Sequence, residues 1–203
     1  MTYACATCAK TSCFKGEFER MPKTCPTRTH DSISKDFEPY LDDERAAVMR
    51  AADKTPIAED GTKRNRVQEL IHFAQSRGMH RVGIAFCVTL IKEAQELARQ
   101  LRTAGLESEL VCCRVGGIDY DQIGLPKAHP ERFAAICNPV AQARLLNEAK
   151  VDLVAQVGLC IGHDLILQQE CSVPVTTLVV KDRSLDHHPV MALRKLDPQG
   201  VSP

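Results

Sequence analysis

The stretch RVGIAFC at residues 81–87 decides the fold, because it is an apolar run that ends in a cysteine just before a helical pattern begins. A continuous apolar run of this length is typical of a strand buried on both faces of a parallel sheet. The same arrangement recurs as FAAIC at residues 133–137 and as VAQVGLC at residues 154–160. The carboxyl ends of parallel strands face one crevice, so the sequence predicts that these thiols converge there.

Apolar runs alternate with helical patterns along the second part of the chain. Strands are predicted at residues 81–86, 109–113, 133–136, 152–159 and 173–180, with helices between them. This alternation predicts right-handed crossovers and a parallel sheet. We therefore expect an α/β, Rossmann-like three-layer domain over residues 41–203, with a mostly parallel sheet of about five strands. Two helices between residues 41 and 79 precede the sheet.

Residues 1–40 form a cysteine-rich arm with little apolar periodicity. The arm has a Cys-x2-Cys-x4-Cys-x11-Cys spacing, made by Cys5, Cys8, Cys13 and Cys25. A segment that buries little apolar surface does not order itself, whereas metal binding supplies folding free energy directly. Four thiolates suit a tetrahedral zinc ion or a four-iron cluster. The Cys25-Pro26 step favours the cluster slightly, because Cys-Pro ends a ferredoxin ligand run. Zinc is the close alternative, and a disordered arm is the other.

Composition excludes several classes of function. Lys+Arg and Asp+Glu both number 26, so the chain lacks the basic surface of a general nucleic-acid binder. No apolar stretch reaches the ~20 residues that span a bilayer, and the N-terminus does not have the pattern of a signal peptide. We expect a cytoplasmic protein, in which ten cysteines indicate metal or redox chemistry rather than disulfides.

The crevice is predicted to hold an iron–sulfur cluster, most simply of the 4Fe-4S type. Cys87, Cys137 and Cys160 each stand where a strand is expected to end and a helix to begin, and a helix N-terminus stabilises a thiolate. Three thiolates leave one iron open for substrate, whereas Cys113, or its neighbour Cys112, would close the site as a fourth ligand. An open site favours catalysis, and a closed one favours electron transfer or structure. The alternative is that they are buried core cysteines.

Five polar residues near the predicted strand ends are candidates for catalytic or positioning roles. His163 can act as general acid/base or as a ligand. The amide of Asn138 can contact substrate or, more simply, cap the following helix. The basic pair Lys181 and Arg183, after the last strand, can hold an anionic group, Asp119 can line the rim, and Asp164 follows Cys160 within one helical turn. The five candidates are Asp119, Asn138, His163, Asp164 and Lys181.

Several motifs resemble an uncharacterised prokaryotic family. The motifs are GIAFC at residues 83–87, VCCRVGGID at 111–119, CNP at 137–139, GLCIGHD at 158–164 and PVTTLVVKDR at 174–183. Together with the N-terminal Cys-x2-Cys, they resemble the domain-of-unknown-function family 1847, described as a predicted metal-binding protein. The resemblance implies a prokaryotic cytosolic protein that binds metal through cysteines, and it implies no particular reaction.

The leading hypothesis is thus an iron–sulfur protein with a crevice cluster and a second, four-cysteine centre in the arm. An open iron would serve a lyase or desulfidase reaction on a small polar molecule, and two closed clusters would relay electrons to a redox partner. Bacterial thiouracil desulfidases offer a chemical parallel, since three cysteines at strand ends hold their cluster, although this sequence shares none of their motifs. The alternatives are a zinc-binding, metal-sensing or thiol-transfer module and a metal-free thiol redox enzyme.

Overall fold

The structure, a computed structural model, describes residues 3, 5–8 and 11–195. The chain divides into two compact units, Met1–Arg50 and Ala51–Pro203. Residues 196–203, the end of the predicted α/β domain, lie outside the described residues. The boundary between the two units lies inside one helix. The sequence predicted that the arm ends a little earlier, at residue 40.

The first unit is built from short helical segments. They are α1 (Ser12–Lys15), α2 (Pro26–Thr29), α3 (Asp31–Ser34) and 3-10 turns at Cys5–Thr7, Phe18–Arg20 and Glu38–Tyr40. Pro26 begins α2, where a missing N–H costs no hydrogen bond. Among the described residues of this unit, Ser12 and Met21 are the buried ones, and Phe14 is 90% exposed. Apolar burial therefore contributes little to the stability of the arm.

The second unit contains the sheet, and the helix α4 leads into it from the first unit. The elements are α4 (Asp43–Lys54), α5 (Arg66–Ser76), β1 (Arg81–Phe86), α6 (Ile91–Thr103), β2 (Glu107–Cys112), α7 (Pro139–Glu148), β3 (Leu153–Val157), α8 (His163–Glu170), β4 (Val175–Val179) and α9 (Val190–Lys195). Over the described residues the four strands pair in the order β2-β1-β3-β4, and every pair is parallel. None of the described helices is both long enough and apolar enough to cross a membrane.

Each face of the sheet carries its own apolar layer. Alternate residues of β1, such as Ile84 and Phe86, pack in one cluster with α5 and α6, whereas Ala85 and Cys87 pack in the other with α7 and α8. On the second face, α7 approaches β1 closely at Gly83. A Cβ added at this position would stand 3.0 Å from Leu146 Cδ2, which explains why the residue there is glycine. Two helical layers on one parallel sheet confirm the predicted α/β, Rossmann-like three-layer fold.

One predicted strand is absent from the sheet. Residues 133–136 form only an isolated antiparallel bridge, in which Ala135 pairs with Asp119. The backbone of this segment bonds locally, since Ile136 N–H donates to Ile118 O at 2.8 Å and Tyr120 N–H donates to Ala134 O at 3.0 Å. Phe133 is 68% exposed, so the run lacks the two-sided burial of a central strand. Its four apolar residues instead close a loop between β2 and α7.

Candidate functional site

The crevice lies where the chain changes direction across the sheet. From β1 the chain crosses to β2 on one side, and β3 pairs with β1 on the other side. Ligands of open α/β sheets bind at such a switch point, outside the carboxyl ends of the strands. Cys87 directly follows β1, and its N–H donates to Val157 O, the last residue of β3, at 3.0 Å. Cys87 therefore stands at the switch point itself.

The Cys87 thiol is held by a cation and a hydroxyl. Lys181 Nζ donates to Cys87 Sγ at 3.1 Å and to Thr89 Oγ1 at 2.6 Å, and Thr89 Oγ1 lies 3.3 Å from the same sulfur. Burial opposes ionisation and is the largest single influence, but the hydrogen bonds from Thr89 and Lys181, with the lysine's charge, outweigh it. Together they lower the pKa of Cys87 to about 7. A thiolate is thus available near neutral pH.

Cys113 lies beside Cys87 in a different electrostatic environment. Its N–H donates to Phe86 O at 2.8 Å, and its sulfur accepts the N–H of Val88 at 3.3 Å. Cys113 is 2% exposed. Burial, together with the neighbouring thiols Cys137 and Cys87, raises the pKa of Cys113 to about 12, against the lowering effect of the Val88 N–H. This residue stays a neutral thiol under ordinary conditions.

Cys137 reaches the same apolar cluster by another route. It precedes α7, but it does not end a strand as predicted, because residues 133–136 are a loop. It packs against the cluster that contains Cys87 and Cys113. Asn138 anchors this approach, since its N–H donates to Cys113 O at 2.7 Å and its Oδ1 accepts the N–H of Ala141 at 3.0 Å. Asn138 is therefore the cap of α7, the simpler of its two predicted roles.

Cys160 follows β3 and faces a second cation. Arg183 Nη2 lies 3.9 Å from Cys160 Sγ, and the Cys160 carbonyl accepts the N–H groups of His163 and Asp164 at 3.0 and 3.1 Å. Lys181 and Arg183 both follow β4, two positions apart. The segment that follows β4 thus brings one cation to each of two crevice thiols, Lys181 to Cys87 and Arg183 to Cys160.

The predicted carboxylates have local partners in the structure. Asp164 Oδ1 accepts the N–H groups of Gly162 and Leu165 at 2.9 and 2.8 Å. Asp119 accepts the N–H of Asp121 at 3.1 Å and pairs with Lys127 at 3.0 Å. These bonds, the backbone one first, lower the pKa of Asp119. Asp164 thus stabilises the first turn of α8 and Asp119 the loop after β2, and their predicted catalytic roles stay predictions.

Two residues of the site, Thr89 and Gln142, were not predicted from the sequence. Gln142 is fully buried on α7, and its Nε2 donates to the carbonyls of Phe86 and Val111 at 3.3 and 2.7 Å. It ties the ends of β1 and β2 together just before the two strand-end thiols. A polar residue on the apolar face of a helix was the available signal, because such a residue needs a buried partner.

The four arm cysteines share one cavity in the first unit. A cavity of about 160 Å³ is lined by Cys5, Cys8, Cys13 and Cys25 with Phe14, Pro22 and neighbouring residues. Ser12 Oγ, beside Cys13, is buried without a hydrogen-bond partner. In the part of the chain that the structure describes, no three His, Cys, Asp or Glu side chains are arranged to hold a single metal ion. By residue type the four thiols fit zinc or a cluster.

Fold and site together define an α/β protein with a parallel sheet and thiols gathered beyond its strand ends. The chain belongs to the protein family of unknown function DUF1847, whose family model matches residues 25–178. An uncharacterised protein of Methanocaldococcus jannaschii is 36% identical over 189 residues, which are 93% of this chain and 92% of that relative. The family indicated by the motifs is thus confirmed, and the metal binding that the resemblance implied stays a prediction. No solved structure matches the chain.

Proposed function

We propose that the chain is an iron–sulfur protein with two working parts, a cluster centre in the arm and a crevice in which thiols act on a small polar molecule. The shared cavity of Cys5, Cys8, Cys13 and Cys25 is the observation that supports the first part. These four residues would hold the cluster, and the cluster would supply one-electron chemistry or local folding free energy.

The arm cavity has room for a cluster as well as for a single zinc ion. A cavity that holds one water molecule has a volume of about 10–15 Å³, and a zinc ion held by four sulfurs needs a smaller one. The arm cavity measures about 160 Å³, more than a single ion requires. The Cys25-Pro26 step favours the cluster slightly, because Cys-Pro ends a ferredoxin ligand run.

In the crevice, the charged contacts favour a reactive thiolate. Lys181 lies 3.1 Å from Cys87 Sγ, and Arg183 stands beside Cys160 at 3.9 Å. Two cations at the switch point attract a small anionic or polar electrophile and hold it near a nucleophilic sulfur. We place the protein among thiol-dependent redox or sulfur-transfer enzymes of the cytoplasm, a compartment that keeps such thiols reduced.

A second version of the proposal has a 4Fe-4S cluster in the crevice, with Cys87, Cys137 and Cys160 as ligands and Cys113 as a fourth. The packing of Cys87, Cys113 and Cys137 in one cluster supports this version. It predicts lyase or desulfidase chemistry at an open iron, or electron relay to a redox partner if the site is closed. The non-catalytic alternative is a zinc-binding or metal-sensing module.

Anaerobic purification with visible absorption and analysis of iron, sulfide and zinc tests these versions. An arm cluster predicts brown protein that loses its iron in Cys8→Ala and keeps it in Cys137→Ala. If Cys137→Ala loses a separate portion of the iron, the crevice cluster is the better account. Cys171→Ala is the matched control, since Cys171 is half-buried and packs in the same core without belonging to either ligand set. Colourless protein that carries only zinc would contradict the iron–sulfur proposal.

A further inference from the structure

Cys87 and Cys113 stand side by side at the ends of two hydrogen-bonded strands. The register pairs Phe86 of β1 with Cys112 of β2, and the bond from Cys113 N–H to Phe86 O continues that ladder for one more residue. Parallel neighbours lie about 4.8 Å apart, which is within the roughly 4.4–6.8 Å between Cα atoms of disulfide-bonded cysteines. Backbone spacing therefore permits a bond between these two residues.

Their side chains also lie on the same face of the sheet. Both belong to the apolar cluster formed with α7 and α8. The Cys113 sulfur accepts the N–H of Val88 at 3.3 Å, so it lies against the peptide group that directly follows Cys87. By contrast, the Cys112 sulfur accepts the N–H of Arg114 at 3.5 Å. Of the vicinal pair, Cys113 is the one in contact with the backbone at Cys87.

The two thiols have unequal surroundings. Lys181 and Thr89 contact the Cys87 sulfur, which favours a thiolate there. The Cys113 sulfur has a backbone N–H as its partner and is surrounded by apolar side chains and other thiols, which favours the protonated form. A thiolate can attack a substrate disulfide, and a second thiol packed in the same cluster can then resolve the mixed disulfide.

We propose that Cys87 and Cys113 form a thiol–disulfide exchange pair that reduces small disulfides, with Cys87 as the attacking thiol and Cys113 as the resolving thiol. The Cys87 thiolate attacks one sulfur of RS–SR, a mixed disulfide forms on Cys87, and RS⁻ leaves and takes a proton from solvent. Cys113 then attacks the Cys87 sulfur and gives its proton to the departing sulfur. The second substrate half leaves as RSH, and a Cys87–Cys113 disulfide remains. Two electrons pass from the dithiol to the substrate, and an external dithiol restores the pair. This inference rests on the Cys87 thiolate of the proposed function.

The test uses the full chain, reduced anaerobically and then treated with 2-hydroxyethyl disulfide. Trypsin separates Cys87, the one cysteine of residues 82–92, from Cys112 and Cys113, which share residues 103–114. Wild-type protein is expected to yield these two peptides joined by a disulfide. Cys113→Ser should lose the cross-link and retain the mixed disulfide on Cys87, whereas the matched control Cys112→Ser should keep the cross-link. Cys113→Ala serves as a second variant, and if neither Cys113 variant folds, a cross-link retained in Cys112→Ser assigns the bond to Cys113, whereas its loss there overturns the inference.

The outcomes separate the two proposals. A mixed disulfide that persists on Cys87 of the wild type overturns the exchange pair and leaves the reactive thiolate standing. A Cys87 that stays unmodified in the native protein, but reacts in urea, overturns both. A cross-link that disappears in Cys112→Ser and persists in Cys113→Ser would show that Cys112 is the resolving thiol and also overturn the inference.

Discussion

Replacing Lys181 with Met should change the reactivity of Cys87 in a way that depends on pH. The substitution keeps a long apolar stem and removes the ammonium group that lies 3.1 Å from Cys87 Sγ. Burial has the largest influence on the pKa of this thiol and raises it. In the variant, the Thr89 hydrogen bonds alone oppose that effect. The titratable groups near Cys87 include Lys181, which contacts its sulfur, and the thiols Cys113 and Cys137, which pack in the same cluster. With the cation gone, the pKa of Cys87 should rise from about 7 toward its ordinary value of 9.0.

The size of the effect follows from ionisation and nucleophilicity together. At pH 7 a thiol with a pKa of about 7 is half ionised, and one with a pKa near 9 is roughly 1% ionised, a loss of about fiftyfold. The more basic thiolate is intrinsically about six- to tenfold more nucleophilic, for a Brønsted coefficient of about 0.4–0.5. The variant should therefore react about five- to eightfold more slowly at pH 7. Above roughly pH 8 the order should reverse, because the wild-type thiol is then almost fully ionised while the more nucleophilic variant thiolate is still increasing.

Timed alkylation with iodoacetamide, read on the peptide of residues 82–92, measures this directly. Lys181→Arg is the matched control, since it keeps a positive charge and should restore most of the rate at pH 7. The reasoning is refuted if the wild-type and Lys181→Met profiles run parallel at all pH values, or if the arginine variant behaves like the methionine variant.

Two further substitutions test the frame that holds the site. Gly158→Ala should lower the free energy of unfolding by about 2–5 kcal/mol, because Gly158 has φ +66 and its added Cβ would overlap Leu90 Cδ1. Gly124→Ala, with φ +68 and open space around it, should cost only the conformational part, so equal losses in urea unfolding would refute the steric argument. Gln142→Leu removes both buried donations to the ends of β1 and β2 and should cost about 1–3 kcal/mol. An unchanged urea midpoint for this variant would mean that those bonds do not stabilise the crevice.

The sheet was readable from the sequence because its strands are buried on both faces. Residues 81–86 were predicted and observed as β1 without a shift, since an unbroken apolar run has one structural use in an α/β chain. Helix α7 begins at Pro139 behind the cap Asn138, where local chemistry sets the boundary. By contrast, β2 begins two residues earlier than expected, at Glu107, because its first residues are polar and carry no apolar signal.

The apolar pattern predicted a strand wrongly at one short run, which does not join the sheet. The run at residues 133–136 has the composition of a strand, but its backbone pairs with residues 118–120 of its own loop. Contacts between distant side chains were also beyond the sequence. Cys87 and Lys181 are 94 positions apart, and the strand order alone decides that the end of β4 reaches the thiol after β1. Sequence reasoning could put both residues on one rim and could not pair them.

The strand order also explains why the thiols of the crevice differ in character. Both cations follow β4, which lies beyond β3, so their charge reaches the thiols after β1 and β3: Lys181 contacts Cys87, and Arg183 lies beside Cys160. Cys113 follows β2 at the opposite edge, and its sulfur accepts a backbone N–H instead. The two described cations that contact crevice thiols therefore both come from the segment after β4. A nucleophile is favoured at Cys87, where an ammonium group contacts the sulfur, and a neutral thiol is favoured at Cys113, whose buried sulfur has a backbone N–H as its partner. The proposed order of attack, Cys87 first and Cys113 second, follows from which strand end the lysine after β4 reaches.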